Sequence, residues 1–414
     1  MNMIKSIVLI TTFSCVLASC VEVDLVGLTL DLLPEPSGGY VDKKNPNSDY
    51  DPLLWEVSLV DSLDDYTIHR SPLIYNDQVI MVTKSEGSMR FKFYNKFSGT
   101  LERNSVVDIG VSFWNYLAVK GDKLLVVTSS KIYAISAIDL SQIWIANFEG
   151  RLFIGDGLVF YDGNILLPLS LYPSIKEIKL QTISLVNGVT LKQDIVESEN
   201  ILSIKNAEIS TFQLKNDNGY DEVIIGTSGR LIDDIPYVQF VNFELDNSQV
   251  NWSWNKIGEF DRKSKMRLTD NYAFIISDSL YVLERSTGLK INSESITYPE
   301  YDVSFSPEIR SLEDVIIYEI TGIGIHSVNL PNFDIIWENR NTSIMGSKDV
   351  TVNTIYNFSA SENLYRLNLL NGEVKIWDEL PYVLNYLKDE FSIDEENNIL
   401  YFKDNKRLFA TQMD

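Results

Sequence analysis

A short pattern of residues recurs along most of this sequence. It consists of an apolar strand, a tight turn, and a second apolar strand that carries an aromatic residue and often leads on to a tryptophan. The clearest copy occupies residues 272–288, and weaker copies follow one another from about Asn76 to the C-terminus. Their spacing of roughly 40 to 57 residues, built from alternating short strands, is typical of a β-propeller with one four-stranded antiparallel blade per repeat. The sequence therefore predicts an all-β fold.

The number of copies predicts the number of blades. Aligning the second strand of each copy places these residues at one position: Phe93, Tyr133, Thr182, Phe240, Tyr281, His326, Tyr365 and Phe409. A turn rich in Gly and Asn follows, and four or five residues later several copies carry a tryptophan: Trp144, Trp252, Trp337 and Trp377. We expect these rings to pack one blade against the next. Eight blades are predicted, with a seven-bladed ring as the alternative if the third or fourth copy is an insertion.

The two ends of the repeat region complement each other. The last copy stops at Asp414 without a tryptophan strand, while residues 53–59 form an isolated tryptophan strand, with Trp55, before the first copy. We expect this N-terminal strand to become the outer strand of the eighth blade. Such a closure protects strand edges that would otherwise pair with other chains. The propeller is thus predicted over residues 53–414.

The N-terminus has the features of a bacterial lipoprotein signal. Lys5 precedes an apolar run over residues 7–17, which is too short for a bilayer that needs roughly 20 apolar residues. Residues 1–19 are therefore predicted to be a signal peptide. The sequence Leu17-Ala18-Ser19-Cys20 resembles a lipobox, which makes Cys20 the expected lipidation site. An ordinary signal peptide with an incidental cysteine is the alternative.

Residues 20–52 are expected to be a flexible, lipidated tether, since turn-forming and polar residues follow one another there without periodicity. Val21, rather than an acidic residue, follows Cys20, which resembles lipoproteins sorted to the outer membrane. Whether the body faces the periplasm or the cell surface stays open. Cys15 is the only other cysteine and lies in the signal peptide, so the mature chain can form no internal disulfide.

Two copies carry a family resemblance. Residues 280–288, Leu-Tyr-Val-Leu-Glu-Arg-Ser-Thr-Gly, resemble the repeat of the PQQ-binding-like (quinoprotein) β-propeller superfamily, and residues 363–377 are a second match. The resemblance extends over residues 53–414 and implies the fold. Dehydrogenases of that superfamily use a quinone cofactor, a metal ion, an acidic base and often a vicinal cysteine pair. This sequence shows no cofactor-binding segment and no cysteine pair, so no cofactor, metal or catalytic residue is assigned.

Other candidate ligands have simpler interpretations. His326 falls on the repeated aromatic position, where packing explains it, and His69 is the only other histidine. Residues 216–222 weakly resemble a calcium loop but occur where the repeat requires a hairpin. Carboxylates for glycoside hydrolysis could come from the blade loops, although no pair is singled out.

Charge narrows the classes of partner. The net charge is −23, from 58 acidic and 35 basic residues spread over the chain, which argues against binding nucleic acid or adsorbing directly to anionic lipid. The architecture is similar to that of the propeller lipoprotein of the outer-membrane barrel assembly machine. That resemblance implies a membrane-anchored, non-catalytic scaffold for a protein partner at the outer membrane. The alternatives are a small-molecule or glycan sensor, or a lyase or hydrolase that uses channel carboxylates.

Overall fold

Short strands and tight turns occupy the whole repeat region. In the computed structural model the described residues are 53–59, 66–67, 71–85, 88–108, 116–153, 158–170, 177–197, 204–217, 220–231, 235–258, 265–277, 279–295, 309–320, 324–340, 348–350, 354–358, 364–377, 391–403 and 407–413. The predicted signal peptide, Cys20 and the tether lie outside these ranges. All regular elements within them are strands, and none of the described residues forms a helix suited to spanning a membrane.

The strands form eight antiparallel sheets, which are the eight blades of a propeller. The chain begins with β1 (Leu53–Ser58) and continues through blade 1 with β2 (Tyr66–Thr67), β3 (Leu73–Tyr75), β4 (Gln78–Ser85), β5 (Ser88–Asn95) and β6 (Leu101–Val107). Blade 2 contains β7 (Tyr116–Lys120), β8 (Lys123–Val127), β9 (Lys131–Ser136) and β10 (Gln142–Asn147). Blade 3 contains β11 (Arg151–Leu152), β12 (Val159–Tyr161), β13 (Asn164–Ser170), β14 (Glu177–Ser184) and β15 (Thr190–Glu197). Blades 1 and 3 have five strands because their first strand is divided in two.

The remaining blades follow in chain order. Blade 4 contains β16 (Ile204–Asp217), β17 (Tyr220–Leu231), β18 (Pro236–Glu244) and β19 (Gln249–Ile257), and blade 5 contains β20 (Lys265–Leu268), β21 (Tyr272–Ile276), β22 (Ser279–Glu284) and β23 (Lys290–Ser295). Blade 6 contains β24 (Ile309–Leu312), β25 (Val315–Ile320), β26 (Gly324–Asn329) and β27 (Asp334–Asn339). Blade 7 contains β28 (Lys348–Val350), β29 (Thr354–Phe358), β30 (Leu364–Asn368) and β31 (Val374–Trp377).

The N-terminal strand closes the ring, as predicted. Blade 8 has the order β1-β34-β33-β32, in which β32 (Phe391–Asp394), β33 (Ile399–Lys403) and β34 (Arg407–Gln412) come from the C-terminus. Strand β1 pairs with β34 so that Trp55 lies opposite Ala410. Joining the two ends in one sheet gives β34 a hydrogen-bonded neighbour on both sides.

The eight-bladed prediction is confirmed and the seven-bladed alternative is wrong. The third and fourth copies both form complete blades. The longer spacing there comes in part from the β16–β17 hairpin, whose strands have 14 and 12 residues. A hairpin lengthens without leaving its sheet because each added pair of residues extends the same ladder.

The hydrophobic core is divided among the interfaces between blades. One cluster joins blades 1 and 2 and contains Phe91, Phe93, Val126 and Tyr133, and similar clusters occupy the next interfaces. The second and third strands of a blade supply most of these residues because both of their faces are covered. This explains buried runs such as that of β8, where residues 124–127 are all buried.

The aromatic position aligned from the sequence is not a single structural position. Phe93 lies opposite Arg103, whereas Tyr133 lies opposite Ile145 and its neighbour Ala134 lies opposite Trp144. Phe93 is therefore equivalent to Ala134, which is one residue after the Tyr133 with which it was aligned. Since successive side chains of a strand point to opposite faces, Phe93 and Tyr133 enter the core between blades 1 and 2 from opposite sides.

Candidate protein-binding site

Four interfaces between blades share one contact, in which a tryptophan of an outer strand lies on the turn of the next blade. Each indole Nε1 donates to a backbone oxygen of that turn: Trp55 to Lys96 at 3.0 Å, Trp144 to Leu185 at 3.1 Å, Trp252 to Arg285 at 2.6 Å and Trp337 to Leu369 at 3.3 Å. The contacts join blades 8 and 1, 2 and 3, 4 and 5, and 6 and 7. We call them the tryptophan interfaces.

Each tryptophan interface requires glycine in the turn. At Gly188, for example, φ is +73° and an added Cβ would lie 2.7 Å from the Trp144 ring. Gly99, Gly288 and Gly372 meet Trp55, Trp252 and Trp337 in the same way. Glycine is needed for two reasons here, the left-handed backbone and the close approach of the ring.

The interfaces between blades 1 and 2, 3 and 4, and 5 and 6 have polar residues at the tryptophan position. Arg103 donates to the oxygens of Ala137, at 2.5 Å, and Ile138. Lys192 donates to the oxygen of Leu245, and Asn292 donates to that of Pro331 at 2.9 Å. The turn residues that face them are not glycines but Leu140, Ser248 and Phe333, with φ of 61°, 54° and 63°. We call these three contacts the polar interfaces.

A second hydrogen bond crosses each polar interface. Its donor precedes or lies within the turn between the first two strands of one blade, and a carboxylate of the next blade accepts it. The bonds are Tyr75 Oη to Asp122 at 2.7 Å, Tyr161 Oη to Asp221 at 2.6 Å and Asn271 Nδ2 to Asp314 at 2.6 Å. Burial, together with the bond to Asp221, raises the pKa of Tyr161.

The turns that take part in these contacts lie on one face of the ring. Within a blade, a backbone N–H of the turn between the third and fourth strands donates to the turn between the first and second. Lys96 donates to Asp77 O at 2.9 Å, and Ala137 donates to Asp122 O at 2.8 Å. We call this side of the propeller the turn face.

Four blades expose an apolar side chain at one position of the turn face, and three of them are neighbours. The second residue of the turn is Phe97 in blade 1, Ile138 in blade 2, Val186 in blade 3 and Leu370 in blade 7, with 50%, 65%, 74% and 60% of each residue exposed. The equivalent residues of blades 4 to 6 are Asp246, Ser286 and Pro331. Apolar residues grouped on one side of a ring are typical of an interaction surface.

A surface pocket of about 520 Å³ opens beside these turns, between blades 1 and 2. Its walls include Tyr75, Asp77, Gln78, Glu102, Arg103 and Ile138. Gln78 and Asn95 donate to the Glu102 carboxylate at 2.5 and 3.0 Å, and these bonds hold its pKa below the usual range. The Arg103 guanidinium lies over the Phe93 ring at 3.5 Å, and burial lowers its pKa.

The structure places some of the residues singled out in the sequence and leaves others undescribed. His326 is buried and stacks on Tyr318 with ring centroids 5.4 Å apart, and burial lowers its pKa, in agreement with the packing interpretation. His69 and Cys20 lie outside the described residues. Residues 216–222 belong to the β16–β17 hairpin, whose tip at residues 218–219 is not described. No group of three His, Cys, Asp or Glu residues suited to a metal ion occurs in the described parts of the chain.

Known proteins resemble this chain in fold. It matches no protein-family profile and no curated protein sequence. Among solved structures, BamB from Moraxella catarrhalis is 13% identical with a TM-score of 0.51, and the match covers 87% of this chain and 99% of BamB. A europium-containing methanol dehydrogenase is 10% identical with a TM-score of 0.53, over 87% of this chain and 93% of the enzyme. Sqt1 from Saccharomyces cerevisiae is 8% identical with a TM-score of 0.55, over 88% and 99%.

These similarities confirm the predicted resemblance to quinoprotein-type propellers and to BamB at the level of the fold. The exposed turn residues were not among the candidates predicted from the sequence. A signal for them exists, because Phe97, Ile138 and Val186 stand inside turns, where an apolar residue has no neighbour to pack against.

Proposed function

We propose that this protein is a bacterial outer-membrane lipoprotein whose propeller binds a protein partner without catalysing a reaction. The observation that carries the proposal is the group of exposed apolar turn residues Phe97, Ile138 and Val186 on the turn face. A closed ring holds such turns in fixed relative positions, which lowers the entropy lost when a partner binds. The fold similarity to BamB is in keeping with this role.

The proposed membrane anchor rests on the sequence. Leu17-Ala18-Ser19-Cys20 would direct lipid to Cys20, and residues 20–52 would join the lipid to the propeller. More than one acyl chain is needed for stable anchoring, since a single chain binds a membrane only marginally. Replacing Cys20 by serine should move the protein from the detergent phase to the aqueous phase in a phase-separation assay.

A binding role agrees with the surroundings of two tyrosines whose pKa is raised. Burial raises the pKa of Tyr401, and its hydroxyl donates to Lys96 O at 3.1 Å between blades 8 and 1. The pKa of Tyr161 is raised across the interface between blades 3 and 4. Perturbed pKa values also arise in structural networks, and these two groups join neighbouring blades.

The experiment that tests the proposal is quantitative capture from detergent-solubilised membranes with the tagged, lipidated chain. A triple variant, Phe97→Ser, Ile138→Ser and Val186→Ser, removes the apolar turn residues. The matched control changes three exposed apolar residues of blades 5 and 6: Leu289→Ser, Ile291→Ser and Ile335→Ser.

We expect the wild-type chain and the control to recover the same membrane protein in a fixed ratio, and the triple variant to lose it. Equal recovery by the triple variant would contradict the proposed binding surface. If no protein is recovered in a fixed ratio, and a small molecule or glycan raises the melting temperature instead, the scaffold proposal is wrong.

A further inference from the structure

The pocket between blades 1 and 2 has an apolar wall on the side of blade 2. Ile138 forms part of this wall and is largely exposed. Outside the lining, the turn of blade 1 carries Phe97, which is half exposed. A ligand that enters the pocket would therefore cover the apolar surface of Ile138.

Two of the three charged groups that line the pocket are acidic. Asp77 and Glu102 line it together with Arg103, and the Asp77 side chain is 78% exposed. Two amide donors lower the pKa of Glu102. Two further carboxylates lie outside the lining: Asp139 follows Ile138, and Asp122 accepts a hydrogen bond from Tyr75. Hydrogen bonds from Ser141 lower the pKa of Asp139 to about 2.

The cations nearby are already engaged within the protein. Both terminal nitrogens of Arg103 donate to backbone oxygens of blade 2, and its plane lies on Phe93. Lys96 lies 3.1 Å from Asp394 and 3.7 Å from Asp77, behind the turn. These contacts leave Arg103 its positive charge, but two lining carboxylates outnumber this one guanidinium. The net charge of the lining is therefore negative, which favours a cation over an anion.

We infer that this pocket binds a lysine or arginine side chain of a protein partner whose neighbouring residues are apolar. The inference rests on the proposed scaffold function and specifies the chemistry of the partner. A volume of about 520 Å³ is in the range of small-ligand pockets and accommodates a long side chain. The aliphatic stem of that side chain would lie against Ile138 while its charged end meets Asp77 and Glu102.

The inference can be tested with a displayed library of random peptides selected on the detergent-solubilised, full-length chain. A double variant, Asp77→Asn and Glu102→Gln, neutralises the pocket. The control, Asp162→Asn and Glu313→Gln, removes two exposed charges from equivalent turns of blades 3 and 6. Unchanged melting temperatures would establish that all three proteins are folded.

We expect the selected peptides to be enriched in Lys or Arg flanked by Leu, Ile, Val or Phe. A synthetic peptide of that consensus should bind the double variant roughly fivefold to tenfold more weakly than the wild type or the control, as for two partly exposed ion pairs. Replacing its arginine by citrulline should have a similar effect on the wild-type chain.

Any of four results would overturn the inference. These are selection of acidic peptides, selection of peptides without a basic residue, equal binding to the double variant, and the absence of any binder that depends on the pocket. A different result would contradict the proposed function, namely that the triple variant of Phe97, Ile138 and Val186 captures the membrane protein as well as the wild type does. Apolar peptides that need those three residues but no cation would refute the inference and leave the scaffold function standing.

Discussion

The tryptophan interfaces and the polar interfaces join equivalent blades by different chemistry. At the first kind, a large ring lies on a glycine and is nine-tenths buried at Trp55, Trp144 and Trp252. At the second kind, Arg103, Lys192 or Asn292 reaches the same turn and donates to its backbone oxygens. Both kinds share an apolar core deeper in the blades, so the difference lies at the rim of the ring.

The alternation divides the ring into pairs of blades. Burying a tryptophan contributes several kcal/mol in addition to its hydrogen bond, whereas each of the hydrogen bonds at a polar interface contributes about 1 kcal/mol. We therefore expect the rims of blades 8 and 1, 2 and 3, and 4 and 5 to be joined more strongly than those of blades 1 and 2 or 3 and 4. The acidic pocket opens at one of the weaker contacts, between blades 1 and 2, where Arg103 takes the place of a tryptophan.

Truncating a tryptophan should have the largest effect. Trp252→Ala removes a buried ring and its bond to Arg285 O, and should lower the free energy of unfolding by about 3–5 kcal/mol. Asn292→Ala, at the equivalent position of the next blade, removes one hydrogen bond and should cost about 0.5–1.5 kcal/mol. Chemical denaturation measures both, and equal losses would abolish the distinction between the interfaces.

Two glycines of blade 3 separate backbone strain from ring contact. Gly163 and Gly188 both have left-handed φ, of +68° and +73°, but only Gly188 has a ring where its Cβ would be. Gly163→Ala should cost about 1–2 kcal/mol through strain. Gly188→Ala should cost about 1–3 kcal/mol more, because Trp144 must move. Similar denaturation midpoints for the two variants would show that the ring does not lie against Gly188.

Acid should weaken the interface that closes the ring. Burial raises the pKa of Asp394, but the donors Asn397 and Lys96 outweigh it and leave the pKa below its ordinary value. This stabilisation is therefore fully present above the unfolded-state pKa of about 4 and is lost as the pH falls through the lower folded-state value. Asp394→Asn should lower stability near neutral pH by about 1 kcal/mol and reduce the loss in acid.

Melting temperatures of the wild type and Asp394→Asn, recorded between neutral pH and pH 3, measure this effect. Parallel curves for the two proteins would contradict the role given to Asp394.

Removing one hydroxyl at a polar interface should have the smallest effect. Tyr75→Phe loses the bond to Asp122 but keeps the ring, at a cost of about 0.5–1 kcal/mol. The matched change Tyr161→Phe removes the bond to Asp221 from a less exposed site and should cost somewhat more. Thermal unfolding of both variants gives the comparison, and a loss as large as that of Trp252→Ala would reverse the order of the two interface types.

The sequence was sufficient to predict the propeller, its eight blades and its closure by the strand of Trp55. These follow from strand periodicity and from the missing outer strand of the last copy. The alternation of interfaces could not be predicted in the same way, because Trp, Arg, Lys and Asn differ in size and polarity and share only an N–H donor. Trp377 was grouped with the other tryptophans, but Ile376 is the residue four positions after Gly372. A shift of one residue exchanges the side chains on the two faces of a strand. The unequal spacing of the copies conceals such a shift in the sequence.

The candidate site was less predictable than the fold. Asp77, Glu102 and Ile138 come from different turns and strands, and only the ring brings them together. The negative charge of the chain argued against anionic partners in general terms. It could not indicate which carboxylates face solvent and which are engaged by a neighbouring blade, as Asp221 and Asp314 are.

A double-mutant cycle on Trp144 and Gly188 tests the alternating ring most directly. Denaturation of Trp144→Ala, Gly188→Ala and the double variant would give the coupling between the two positions. Because the added methyl group collides with a ring that the second substitution removes, the double variant should be about 1–3 kcal/mol more stable than the sum of the single losses predicts. Additive losses would contradict the contact on which the tryptophan interfaces are defined.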